Sequence, residues 1–135
     1  MSEFIWPVRV YYEDTDAGGL VYHANYLRFM ERARTEWLRS KGFEQDRLRD
    51  QAGILFAVTR ARLDFRRPAL FNQSLSVSAC LTRHGRASLE MYQEVRGPDG
   101  EVCCSCELKL ACLDASRLRP RAIPEHLLAE LSDVE

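Results

Sequence analysis

With 135 residues and a formal net charge of -1, the chain is sized for one domain and has no cationic excess suited to nucleic acid or an anionic membrane. Apolar residues make up 46% and charged residues 29%, a balance that excludes a disordered chain; a domain of this size buries about 65–70% of its unfolded surface. No apolar run approaches the ~20 residues of a membrane-spanning helix. The N-terminal MSEFIWPVRV lacks a basic segment leading into a hydrophobic block. Five cysteines, an odd number crowded into strand-like sequence, argue for reduced thiols over a disulfide framework. A cytoplasmic protein of one domain, residues 1–135, is expected.

Phe4 to Tyr12, rich in Val, Tyr, Ile and Trp with Pro7 near its start, predicts a first strand at or near a sheet edge. An acidic loop follows, with Glu13, Asp14 and Asp16 ahead of Gly18-Gly19. The strongest helical pattern in the chain comes next. Tyr26, Phe29, Met30, Ala33 and Trp37 recur at i, i+3, i+4, i+7 and i+11, while Arg28, Glu31, Arg32, Arg34 and Glu36 are charged. Lys41-Gly42 reads as its stop, and Gln45 to Gln51 as a short helical turn.

The remainder alternates with period two. Ile54 to Phe65 puts Ala57, Thr59, Ala61, Leu63 and Phe65 on one face and Val58, Arg60, Arg62 and Asp64 on the other, a half-exposed strand ended by Arg66-Arg67-Pro68. Ser74 to Arg83 and Ser88 to Arg96 are the next two strands. Gly97-Pro98-Asp99-Gly100 turns the chain into Glu101 to Asp114, where Val102, Cys104, Cys106, Leu108, Leu110 and Cys112 share the buried face. Ser116 to Glu135 begins with RLRPRAIP and ends in a short amphipathic stretch, Glu125 to Leu131. The layout is α+β, with consecutive strands that favour antiparallel pairing and one long helix for the sheet to curl around.

The loop and helix start carry the chemistry. Unpaired N–H groups and a partial positive charge at a helix N-terminus suit an oxygen developing negative charge, and Asp16 lies seven residues before His23. Asp16 is also a residue type suited to an Asx turn or a helix cap, and His23 to an ordinary surface or interface histidine. Asp14 and Glu13 read as loop-ordering or solvated groups, Tyr12 and Tyr26 as packing residues suited to lining a pocket, and Asn25 as fixing the turn by hydrogen bonding. The cysteines lack the paired CxxC spacing of zinc sites, and no GxSxG, dinucleotide fingerprint or P-loop occurs.

The string from Val8 to Arg34, VRVYYEDTDAGGLVYHANYLRFMERAR, resembles the signature of the hotdog-fold acyl-CoA thioesterases in the branch related to 4-hydroxybenzoyl-CoA thioesterase. Within that branch it is most similar to the thioesterases associated with the bacterial Tol-Pal system. Pro68-Ala69 to Gln73 and the RPRAIP tail agree with that resemblance. It implies a five-stranded antiparallel sheet around one long helix, and a homodimer or homotetramer with active sites between protomers. It also implies hydrolysis of acyl-CoA to free acid and coenzyme A, with Asp16 as general base or nucleophile and the His23 backbone N–H polarising the carbonyl. No metal and no cofactor beyond the substrate's own coenzyme A is implied. Tyr12, Gly19, Asn25 and Tyr26 are expected around the acyl group, and Arg83 and Arg86, ahead of Arg60, Arg62, Arg66 and Arg67, at the phosphates. Two other readings remain open: an acyl thioester dehydratase on the same fold, and a non-catalytic module binding acyl thioesters or acyl carrier protein beside lipid-synthesis enzymes.

Overall fold

One helix of 16 residues, α1 (Asn25–Ser40), and five strands carry the fold in the computed structural model, which describes residues 2–132. The strands are β1 (Phe4–Arg9), β2 (Ile54–Phe65), β3 (Ser74–His84), β4 (Ser88–Arg96) and β5 (Val102–Asp114), in the order β1-β3-β4-β5-β2. All neighbours are antiparallel. Short helical segments, α2 (Gln45–Arg47) continuing through a turn at Leu48–Ala52, and α3 (Glu125–Leu131), complete the chain. The first strand ends at Arg9, sooner than the expected Tyr12, because Tyr12–Asp14 curls into a 3-10 turn. The last three residues of the expected C-terminal segment lie outside the described residues.

The apolar stripe of α1 is buried as its spacing requires: Tyr26, Phe29, Met30, Ala33 and Trp37 all face the core. The helix lies over β3, β1 and β4. It ends where Gly42, at φ +92°, donates to Arg39 O (3.0 Å) and Phe43 N–H donates to Leu38 O (3.0 Å), a Schellman closure that needs a left-handed residue. A Cβ at Gly42 meets nothing within 4 Å. Gly42→Ala is therefore expected to cost only the backbone term, about 1 kcal/mol, read as a lowered denaturation midpoint with unchanged m.

Arg34, grouped in sequence with the charged side of the helix, turns partly inward. Gln93 on β4 is fully buried and donates from Nε2 to the carbonyls of Met30 (3.0 Å) and Ser78 (3.1 Å), while its Oε1 accepts from Arg34 Nη1 (3.0 Å). One amide thus ties α1 to β3 and β4 and leaves no buried donor or acceptor idle. Burial lowers the Arg34 guanidinium from its ordinary pKa, against the pull of Glu31.

On β2 the expected faces need correction. Val58 pairs with Leu110 but Arg60 pairs with Lys109, so Thr59 is a bulge. The register sets Ile54, Phe56 and Val58 opposite Asp114, Cys112 and Leu110, and Ala61, Leu63 and Phe65 opposite Leu108, Cys106 and Cys104. The apolar face therefore switches parity at Thr59, and Val58 belongs to it. The cysteines keep their expected place: Cys103, Cys104, Cys106 and Cys112 are buried, and burial raises all four thiols, Cys104 up to about 12. They remain protonated small hydrophobes.

Candidate active site

Between β1 and α1 the chain folds into a small hairpin of its own. Thr15 pairs with Val21, Asp16 N–H donates to Leu20 O (2.8 Å), and Gly19 N–H returns to Asp16 O (3.1 Å). Gly19 sits at φ +80°, the left-handed position that closes this turn. The Pro68 to Gln73 turn buttresses the hairpin: Val21 N–H donates to Ala69 O (2.9 Å), Phe71 N–H to Gly19 O (3.2 Å), and Leu20 bridges to Leu70. Tyr26, at the start of α1, anchors that turn in its own right, because its hydroxyl accepts the Ala69 N–H at 3.0 Å.

Asp14 is the inner brace. It is 3% exposed; Oδ2 accepts Tyr11 N–H (2.8 Å), Oδ1 accepts Asn25 Nδ2 (2.8 Å), and its carbonyl accepts Tyr22 N–H (2.8 Å). The other end of the Asn25 amide accepts from Arg28 Nη1 (3.1 Å). A buried carboxylate tying both flanks of a loop to the first turn of a helix makes that loop rigid. Asp14 and Asn25 thus hold the loop-ordering roles expected of them.

Asp16 and His23 lie at the two ends of the braced segment, and both are exposed. Asp16 Oδ1 accepts Gly18 N–H at 2.9 Å, an Asx turn, and this is its only side-chain hydrogen bond among the described residues. The other oxygen takes no hydrogen bond among the described residues. The helix start is unusual: Ala24 occupies the N-cap position and no side chain caps it. Among the described residues the His23 backbone N–H has no protein acceptor, and the His23 imidazole packs on Tyr22, ring centres 4.5 Å apart. A basic oxygen and an unspent main-chain donor on one rigid loop are the two groups that acyl transfer asks for.

The remaining expected residues divide. Tyr12 is 78% exposed and stacked on Phe71, centroids 4.2 Å apart, where the pair walls an open groove beside the loop. Asn25 and Tyr26, expected at the substrate, are 2% and 3% exposed with their polar atoms engaged internally, so in this chain they brace the site and present no polar atom to a ligand. Arg83 and Arg86 lie elsewhere within the chain. They flank the far end of β3, on the order of 30 Å along the strand from the Gln73 end that adjoins the loop, and Arg83 pairs loosely with Glu90 at 3.8 Å. One chain does not bring them to Asp16. The exposed Arg66 and Arg67 stand much nearer in the chain, immediately before the Pro68-Ala69 turn that contacts Val21 and Tyr26. The adjacency of RRP to PAxxxQ was the available signal. Among the described residues no group of three His, Cys, Asp or Glu side chains is placed to hold a metal.

The chain and its fold have relatives among known proteins. A model described as "Thioesterase-like superfamily" matches residues 10–131. An Escherichia coli protein named "Acyl-CoA thioester hydrolase YbgC" is 39% identical over 127 residues, covering 94% of each chain. A Haemophilus influenzae "Acyl-CoA thioesterase YbgC" is 37% identical over 126 residues, covering 93% of this chain and 92% of that one. The solved structure of a probable thioesterase from Bartonella henselae superposes with a TM-score of 0.85 at 30% identity, covering 91% of this chain and all of that one. The chain thus belongs to the thioesterase-like superfamily of the hotdog fold.

Proposed function

We propose that this protein is an acyl-CoA thioesterase in which Asp16 activates water or attacks directly, and the His23 backbone N–H polarises the thioester carbonyl. The observation that carries the reading is the pairing, on one loop braced by Asp14 and Asn25, of an exposed Asp16 carboxylate with a helix start that no side chain caps. By the first route Asp16 takes a proton from water as its oxygen attacks the carbonyl carbon, and the coenzyme A thiolate leaves. By the second, the Asp16 carboxylate forms a mixed anhydride, the thiolate leaves, and water then releases the acid. In both, the carbonyl oxygen becomes negative and needs a donor at fixed range, a contribution of about 3–4 kcal/mol. The thiolate is a good leaving group, so the imidazole of His23 has at most a secondary role. Neither route calls for a metal or a further cofactor. The activities named for the Escherichia coli and Haemophilus influenzae relatives support the substrate class.

The assembly is a homodimer, or a homotetramer of such dimers, joined along β2 with active sites between protomers. Of the two sheet edges, β1 has 6 residues interrupted by Pro7, a blunted edge, whereas β2 has 12 and leaves Val58 and Phe65 48% and 55% exposed. Arg66 and Arg67 meet the coenzyme phosphates on the same chain; Arg83 and Arg86 serve only where another subunit brings them there. A cytoplasmic location fits the reduced thiols, and among the described residues no helix is long and apolar enough to cross a membrane. Association with the Tol-Pal system and with acyl carrier protein follows from the resemblance of the Val8 to Arg34 string.

Purified protein mixed with a panel of acyl-CoA thioesters is expected to release free coenzyme A thiol, and sedimentation is expected to give at least twice the 15.6 kDa chain mass. Binding without thiol release would favour the non-catalytic module, and hydration or dehydration of the acyl chain would favour the dehydratase.

A further inference from the structure

Two supports hold the catalytic loop, and they grip different parts of it. Asp14 reaches Tyr11, Tyr22 and Asn25, at the base of the hairpin. The tip, Asp16 to Leu20, lies against a separate segment: Phe71 N–H donates to Gly19 O, Leu20 bridges to Leu70, and Val21 N–H donates to Ala69 O. The Pro68 to Gln73 turn thus carries the tip along one side. Asp16 is only as well placed as that turn.

The turn has three attachments of its own. At its far end Asn72 N–H donates to Val10 O (2.9 Å) and Val10 N–H to Gln73 O (3.0 Å), which ties it to the chain just past β1. In the middle Gln73 grips both backbone groups of Leu70: its N–H donates to Leu70 O (3.2 Å), and its Oε1 accepts Leu70 N–H (2.9 Å). At the near end the buried Ala69 donates its N–H to Tyr26 Oη (3.0 Å), which makes no other hydrogen bond among the described residues. Phe29 and Phe65 pack edge-on to the Tyr26 ring, centroids 6.4 and 5.7 Å away, so its hydroxyl has little freedom to wander. Tyr26 lies three residues past His23, in the first turn of α1. One phenol therefore joins the helix start that offers the His23 N–H to the turn that carries the Asp16 tip.

We infer that Tyr26 and Gln73 are positioning residues for thioester hydrolysis, which fix, through the Pro68 to Gln73 turn, the spacing between the Asp16 carboxylate and the His23 backbone N–H. The inference rests on the thioesterase reading and adds two residues to it. A base or nucleophile and an oxyanion donor must meet the same carbonyl at once, so a misplacement of about 1 Å between them is felt in the transition state far more than in binding. Loss of either brace therefore lowers kcat and leaves KM nearly alone.

The test is kcat and KM on acyl-CoA for Tyr26→Phe, Gln73→Leu and Gln73→Glu in the full chain, with Tyr26→Phe also made in an Asp16→Asn background. Tyr26→Phe keeps the ring and deletes the acceptor; it is expected to lower kcat about 10–50-fold with KM within about threefold. Gln73→Leu is expected to lower kcat about 5–20-fold, and Gln73→Glu, which keeps an oxygen for the Leu70 N–H, to hold it within about threefold of the unaltered protein. Burial raises the Tyr26 phenol above its ordinary pKa, so the group is neutral throughout the assay range and the pH profile of Tyr26→Phe keeps its shape. Because the braces act through Asp16, Tyr26→Phe should remove less than about a further threefold once Asp16 is Asn. A lowered melting temperature with kcat per folded molecule unmoved would make both residues merely structural and overturn the inference. Full additivity with Asp16→Asn, or Gln73→Glu as slow as Gln73→Leu, overturns it too, and each of these results leaves the hydrolase reading intact. Absence of thiol release from every acyl-CoA by the unaltered protein removes the hydrolase reading and the positioning roles together. Should Tyr26→Phe fail to fold, the two Gln73 variants decide.

Discussion

Asp16→Asn is expected to lower kcat on acyl-CoA by about 10²–10⁴-fold with an unchanged melting temperature. The substitution separates charge from structure because, among the described residues, the only side-chain hydrogen bond of Asp16 is the acceptance of Gly18 N–H at Oδ1, 2.9 Å away. An amide oxygen accepts that bond equally well, so the Asx turn persists and the Asp16–Leu20 closure with it. What disappears is a basic, nucleophilic oxygen. Asp16→Ala removes the turn as well, so loss in the alanine variant alone, with full turnover in the asparagine variant, would assign Asp16 a structural role and end its place in the mechanism. The oxyanion partner predicts a contrast. Since the donor is the main-chain N–H of His23, His23→Ala keeps it and is expected to cost less than about tenfold. A loss as large as that of Asp16→Asn would move the imidazole into the reacting centre.

Much of this site was readable from residue order, and the parts that were not have physical causes. The stripe Tyr26, Phe29, Met30, Ala33, Trp37 needs only a period of 3.6 to be placed, and β4 at Ser88–Arg96 and β2 at Ile54–Phe65 fall where their composition and flanking turns put them. The faces of β2 did not follow, because a bulge at Thr59 inserts one residue without any mark in the sequence, and every inward side chain beyond it changes parity. Tyr26 reads as a packing residue suited to lining a pocket, but the helix turns it into the core, where it is 3% exposed. The position of Arg83 and Arg86 relative to the loop was hidden for a different reason. Charge and a flanking glycine made Arg83 and Arg86 attractive, but the distance between strand ends is a property of topology, and an antiparallel hairpin carries its turn to the end of the sheet opposite the loop. The Asp14–Asn25 bond joins positions 11 apart in sequence across a hairpin whose pairing is set by Gly19, so Asn25 could be read as fixing the turn while its partner could not be named.

That bond supports the second large effect. The polarity of the pair is locked at both ends, by Tyr11 N–H donating to Asp14 Oδ2 and by Arg28 Nη1 donating to Asn25 Oδ1. Asp14→Asn therefore cannot be accommodated by an amide flip: whichever way either amide turns, a donor faces a donor in a site that is 3% exposed. The expected cost is about 1–3 kcal/mol, and Asp14→Ala, which leaves both donors empty, is expected to cost about 2–4 kcal/mol. Both loosen the loop that carries Asp16, so kcat falls along with stability. Asn25→Asp alone sets two carboxylates against each other. The double exchange, Asp14→Asn with Asn25→Asp, restores alternation, since the new amide accepts from Tyr11 N–H and donates to the carboxylate moved to position 25, whose other oxygen takes Arg28 in a charge-assisted bond. The two single losses should then fail to add by more than about 1 kcal/mol in denaturant unfolding, with turnover recovering in parallel. Strict additivity would show that the loop is held from elsewhere, and recovered stability without recovered turnover would show that the carboxylate at position 14 matters to the chemistry in its own right.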